Sequence, residues 1–100
     1  MNIEMTLKHI ENAPPNLKEY VSEKVASLAK YCVIDKVLVV GSDEHSHDLN
    51  KRYQMEIVVR SQGQEFVAKS AGPNLLTATD EVLSRLSKQL VKYKERRKEH

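Results

Sequence analysis

The chain has 100 residues, 40% of them apolar and 30% charged, with a formal charge of +2. That length and balance suit one soluble domain with a single modest core. No apolar run approaches ~20 residues, so no membrane-spanning segment is expected, and Cys32 alone allows no internal disulfide and points to a reducing, cytoplasmic setting.

Met1 to Lys8 alternates, with Ile3, Met5 and Leu7 on one side and Glu4, Thr6 and Lys8 on the other, which predicts a half-buried strand. It also lacks the charged-then-apolar layout of a signal peptide. Asn12-Ala13-Pro14-Pro15 breaks the strand, and proline suits the first turn of a helix. Leu17, Tyr20, Val21, Val25, Leu28 and Ala29 then recur every three or four residues, predicting an amphipathic helix to about Tyr31. Glu19 and Glu23 sit early in it and Lys30 late, as the helix dipole prefers.

Val33 to Ser42 is rich in valine and predicts a second strand. Asp43 to Lys51 is polar and irregular, a loop. Arg52 to Arg60 alternates again, with Tyr53, Met55, Ile57 and Val59 facing one way. Ser61-Gln62-Gly63-Gln64 predicts a tight hairpin connection in which Gly63 can take positive φ. Gln64 to Ala71 is the fourth strand, and Asn74 is a good N-cap for a long helix from Leu75 to about Arg97. The order is β-α-β-β-β-α, an α+β fold. Each helix has one apolar face, so both should pack on one side of a four-stranded sheet. Strands two to four should form a meander, and the first should pair in parallel through the helix crossover. The last residues, 94–100, are expected to fray.

Charge is distributed unevenly. The last sixteen residues hold seven of the sixteen basic side chains and only Glu95 and Glu99, a formal +5, which leaves −3 for residues 1–84. A concentrated field of one sign suits a polyanion, nucleic acid above all. At 100° per residue, Arg85, Lys88, Lys92 and Arg96 fall within roughly one quarter of the helix circumference, more than ~90° from the centre of the apolar stripe. Groups four residues apart rise about 6 Å per step, close to the spacing of successive phosphates. Glu81 is the acid aligned with this ridge. The bland alternative is a solvated helix face of long basic stems, though such faces usually carry mixed charge. Lys94, Arg96 and Arg97 extend the ridge by charge. Lys24, Lys30, Lys8 and Arg52 are weaker candidates, since their surroundings are mixed. Five aromatic residues and no tryptophan disfavour a mode built on stacking single-stranded bases.

Other chemistry is thinly supported. His45-Ser46-His47-Asp48 could chelate, but no third ligand stands at a recognised spacing, so no metal site is expected. Cys32 reads as a small half-buried hydrophobe past the first helix rather than a catalytic thiol. Asp80 and Glu81 are adjacent on a helix and point apart, so they are not a catalytic pair. No glycine-rich phosphate loop, nucleophile elbow or HExxH is present, and neither an enzyme nor a cofactor is expected.

Taken together these segments resemble the bacterial ribosome hibernation promoting factors, also called ribosome-associated inhibitors or σ54 modulation proteins. The resemblance spans essentially the whole chain. It rests on Met1-Asn2-Ile3, on Leu17-Lys18-Glu19-Tyr20-Val21, and on Thr77-Ala78-Thr79-Asp80 followed by Leu83, Arg85-Leu86, Lys88-Gln89-Leu90 and Lys92. Departures are Asn74-Leu75-Leu76, where the family often has acidic-Met-Tyr, Thr79 in place of isoleucine, and Pro14 in place of a capping Ser or Thr.

The resemblance implies a fold similar to double-stranded RNA-binding domains. It implies binding to the small ribosomal subunit in the channel used by mRNA and tRNA, with basic helix faces on ribosomal RNA, and silencing of translation in stationary phase or stress. Arg85, Lys88, Lys92 and Lys24 match the family's basic helix positions. With no second domain and a basic rather than acidic end, the chain looks like the short form. That form is associated with paired, inactive ribosomes, usually with a second factor's help. The protein itself is expected to be a monomer off the ribosome. A general double-stranded RNA binder and a protein-interaction regulator of transcription stand as alternatives.

Overall fold

In a computed structural model of the protein, residues 2–98 are described. Met1, where the alternation predicts the first strand to begin, lies outside the described residues, as do Glu99, His100 and the side chains of Arg97 and Lys98.

The elements are β1 (Asn2–Lys8), α1 (Leu17–Ala26), β2 (Lys36–Asp43), β3 (Tyr53–Ser61), β4 (Gln64–Gly72) and α2 (Leu75–Lys98). The strands lie in the order β1-β2-β3-β4. β1 pairs with β2 in parallel, Ile3 beside Val37 and Met5 beside Val39. β2, β3 and β4 form the expected antiparallel meander, in which Val39 faces Ile57 and Ile57 faces Ala68. Both helices cover the same sheet face. Leu17, Val21, Val25 and Leu28 from the first helical segment meet Val37, Val39, Met55, Ile57 and Val59 from the sheet. Leu75, Ala78, Val82, Leu83, Leu86 and Leu90 of α2 complete that core, all of them buried. Ile3, Met5 and Leu7 are only half-buried, because β1 is an edge strand.

Local chemistry sets the boundaries. Asn74 caps α2, its Oδ1 accepting the Thr77 N–H at 2.8 Å, as its side chain is suited to do. The hairpin turn has Gln62 at φ 49° and Gly63 at φ 81°, the two positive values of the turn that matches strand twist. Asp35 braces that turn by accepting the Gln62 N–H at 2.7 Å. Gly72 lies at a close approach, where a Cβ would stand 3.2 Å from the Ala78 nitrogen and crowd the first turn of α2. Thr79 is buried with its hydroxyl satisfied, donating to the Leu75 carbonyl at 2.8 Å one turn back.

Four expectations need correction. The first helix does not run to Tyr31 as one α-helix: it tightens into a 3₁₀ turn over Ser27–Lys30. Ser27 donates its hydroxyl to the Lys24 carbonyl at 2.6 Å, the kind of local bond that competes with helix continuation. The tighter turn rotates Ala29 out of the apolar stripe and leaves it exposed. Pro14 and Pro15 precede the helix, which opens at Leu17 with its N–H bonded to the Pro14 carbonyl at 3.0 Å. β2 starts at Lys36, and Val33 is exposed in the connection leading to it. Asp43 belongs to β2 rather than to the loop, and it is buried.

Leu86 is fully buried at the centre of α2. Leu86→Ala is expected to cost about 2–5 kcal/mol of unfolding free energy, and Asn74→Ala about 1 kcal/mol. Urea titration of the three proteins checks both magnitudes and their order.

Candidate nucleic-acid interface

α2 sets out the candidate residues by rotation about its axis. With its apolar stripe on the sheet, Lys88, Lys92 and Arg96 project from the solvent side and are exposed. They have no ion pair or hydrogen bond with any of the described residues. A 24-residue helix is about 36 Å long, whereas nine-residue β4 spans about 30 Å. Tyr93 packs edge-on against Phe66 near the start of β4, ring centroids 5.1 Å apart. Lys94, Arg96 and Arg97 therefore fall on the last turns of α2, at and past that end of the sheet. Glu95 is exposed within the same stretch.

Arg85 differs from its neighbours in the ridge. Its Nη2 pairs with Glu81 Oε1 at 3.0 Å, and its Nη1 donates to the Lys69 carbonyl of β4 at 2.8 Å. Gln89, one turn on, donates to the Val67 carbonyl at 2.9 Å. The acid seen in line with the ridge is thus neutralised by Arg85, and Lys88 and Lys92 carry the uncompensated charge.

The other flank of α2 meets α1. The Tyr20 hydroxyl donates to Asp80 Oδ1, which ties the helices together. That bond raises the Tyr20 phenol's pKa, since losing its proton would leave two anions in contact. Lys24 Nζ lies 5.4 Å from the centre of the Tyr20 ring. Lys30 Nζ lies 5.1 Å from that of Tyr31, both within cation–π range. Lys94 donates to the Lys30 carbonyl at 3.2 Å, so Lys24, Lys30 and Lys94 line the α1 side of the helical layer. The tyrosine contacts were not legible in the sequence. Tyr20 reads there as part of the apolar stripe, and only the half-burial of its ring reveals a hydroxyl free to reach Asp80.

Arg52 and Lys8 lie elsewhere. α2 runs antiparallel to β4, so the basic end of α2 sits by Gln64, while Tyr53 pairs with Gly72 at the opposite end. There Arg52 grips buried Asp43, Nε 3.1 Å from Oδ1 and Nη2 2.9 Å from Oδ2. The His45 N–H adds a further bond at 2.9 Å. A buried carboxylate needs such partners. They hold the Asp43 carboxyl at about 2, below its ordinary 3.8, the Arg52 bond being the largest cause. This end carries a cleft of about 480 Å³ between the β1–α1 and β2–β3 connections. His9 and His45, both in left-handed backbone, line it. Among the described residues no three of His, Cys, Asp and Glu are grouped to hold a metal, and no helix is long and apolar enough to cross a membrane. Asp80 bonds to Tyr20 and Glu81 to Arg85, so these carboxylates do point apart.

Because the folded-state pKa of Asp43 is depressed, its contribution to stability is present above about pH 4 and is lost as pH falls toward about 2. Asp43→Asn should lower the urea midpoint at neutral pH, with the gap to wild type narrowing as pH drops below ~4. A constant gap down to ~pH 2 would contradict the pairing.

Two solved structures share this architecture. The Protein Y N-terminal domain of Thermus thermophilus superposes with a TM-score of 0.77 at 24% identity, covering 93% of this chain and 99% of that one. A ribosomal subunit interface protein from Coxiella burnetii gives a TM-score of 0.73 at 20% identity, with coverage of 95% and 99%. At such identities the likeness shows the fold. No curated protein matches the sequence. The model of the family described as sigma 54 modulation protein / S30EA ribosomal protein matches residues 3–98, nearly the entire chain. On that match the chain belongs to the sigma 54 modulation / S30EA ribosomal protein family.

Proposed function

We propose that this protein is a ribosome hibernation factor. It binds ribosomal RNA of the small subunit through the solvent face of α2, occupies the channel used by mRNA and tRNA near the decoding site, and so silences translation. The action is occupation, without catalysis or cofactor. The observation that carries the reading is the row Lys88, Lys92 and Arg96, exposed and uncompensated among the described residues, in a chain of this family. Lys24, Lys30 and Lys94 supply further cations along the α1 side. Arg97 continues the helix. Arg85 contributes through the guanidinium surface left open by Glu81, while Lys8 and Arg52 are too far toward the other end to share this face.

A rigid helix with cations every ~6 Å engages several phosphates at once and releases their condensed counterions. Recognition then depends on the shape and backbone of folded RNA more than on base sequence. The protein acts in the cytoplasm as a monomer off the ribosome. It favours inactive ribosome pairs in stationary phase or stress, together with a second, dimerising factor.

Co-sedimentation with purified small subunits tests this. Wild type should pellet at low salt and release as salt rises. With a slope of −0.7 to −0.9 per phosphate neutralised, Lys88→Glu/Lys92→Glu/Arg96→Glu should flatten the log–log salt dependence by about 2–3 and abolish pelleting at moderate salt. Excess duplex RNA should compete poorly; equal competition would favour a general duplex binder. Unchanged pelleting by the folded triple variant would remove α2 from the interface. Pelleting of neither protein would point to a protein partner instead.

A further inference from the structure

β4 is an edge strand. Its hairpin closes on the pair Ser61–Gln64 around a two-residue turn, and such a closing pair exchanges both backbone hydrogen bonds. Alternation then points Gln64, Phe66, Ala68 and Ser70 at β3. Glu65, Val67, Lys69 and Ala71 turn their N–H and C=O groups away from the sheet, a ready template for another strand.

Two side chains of α2 occupy that template. Arg85 Nη1 caps the Lys69 carbonyl at 2.8 Å, and Gln89 Nε2 caps the Val67 carbonyl at 2.9 Å. The match is geometric. Four residues of helix climb about 6.0 Å and two residues of strand about 6.8 Å. Donors four apart on α2 therefore meet carbonyls two apart on β4, in opposite chain directions. Glu81 steadies Arg85 from the preceding turn.

The uncovered edge would suit a second copy of itself. Antiparallel pairing centred on Val67, which is 44% exposed, sets Val67 against Val67. It places Glu65 of each copy directly opposite Lys69 of the other. An apolar pair flanked by two opposite-charge pairs is favourable across strands, and the arrangement is a closed two-fold dimer.

We infer that Arg85 and Gln89 form an edge guard on β4 that prevents strand pairing with a second copy of the chain. This role is separate from phosphate contact and sets Arg85 apart from Lys88 and Lys92.

Sedimentation velocity on the full chain tests the inference, using Arg85→Met/Gln89→Met, which keeps the apolar stems and helix propensity but removes the donors. The variant should self-associate at least about tenfold more tightly than a monomeric wild type. Adding Lys69→Pro should restore the monomer, because it deletes an outward N–H without touching the β3 ladder. A folded double variant that stays monomeric, or association that survives Lys69→Pro, would overturn the guard. If circular dichroism shows the double variant unfolded, Gln89→Leu alone is read the same way. It removes one cap and should give the same change at smaller size; a monomer at all concentrations overturns the inference.

Discussion

The burial of one face of α2 on β3 and β4 is the constraint on which the other features depend. Val82, Leu86 and Leu90 are fully buried there, which fixes the rotation of the helix about its axis. Once that rotation is set, every other side chain of α2 has a fixed direction. Asp80 and Lys94 face α1, Arg85 and Gln89 face the edge of β4, and Lys88 and Lys92 face water. A shift of one residue would turn the helix by about 100°. In one direction that shift would bury Glu81, Arg85 and Gln89, in the other Ser84 and Ser87, and either would undo all three relationships together, so the core residues of α2 bear on binding without touching a ligand.

The helical layer carries two grades of positive charge. Lys24, Lys30 and Lys94 are engaged with tyrosine rings or a backbone carbonyl, contacts that orient a cation while leaving its charge intact. Lys88, Lys92 and Arg96 are held by nothing among the described residues, and their mutual repulsion is relieved only by salt or by an anion. The engaged group borders the junction of the helices, and the unengaged group lies outward along α2. A polyanion meeting this layer finds a preset flank and an adaptable one, an arrangement suited to an irregular RNA surface.

The opposite end of the domain is built on another principle. Asp43 is buried, and hydrogen bonds from the Arg52 Nε and Nη2 and from the His45 amide satisfy it. The sequence shows a basic residue beside a polar loop. The fold shows a guanidinium whose charge is matched locally and which itself lies over the Tyr53 ring. Formal charge alone does not separate Arg52 from Lys92, but the depth of the nearest acid does.

Much of the fold was legible from periodicity. Alternation in Ile3–Leu7 and Tyr53–Val59 marked strands, a three-and-four spacing marked both helices, and Asn74 and Gly63 marked a cap and a turn whose geometry requires those side chains. The readings that failed did so where local hydrogen bonding outweighed pattern, as when Ser27 tightened the end of α1 and turned Ala29 outward. The ridge was visible as four basic residues on one quadrant of α2, because helix rotation is a property of the chain. The assignment of Arg85 to the β4 edge was not visible, because Lys69 and Val67 offer carbonyls there only once the hairpin has set which of their groups face outward. By itself the sequence determined the elements, the apolar faces and the sign of the charge on α2, all of which arise from neighbours within a few residues. Only the tertiary structure decided that Arg52 is spent on buried Asp43 and that Arg85 and Gln89 close the edge of β4, since those contacts need partners 9, 16 and 22 residues away.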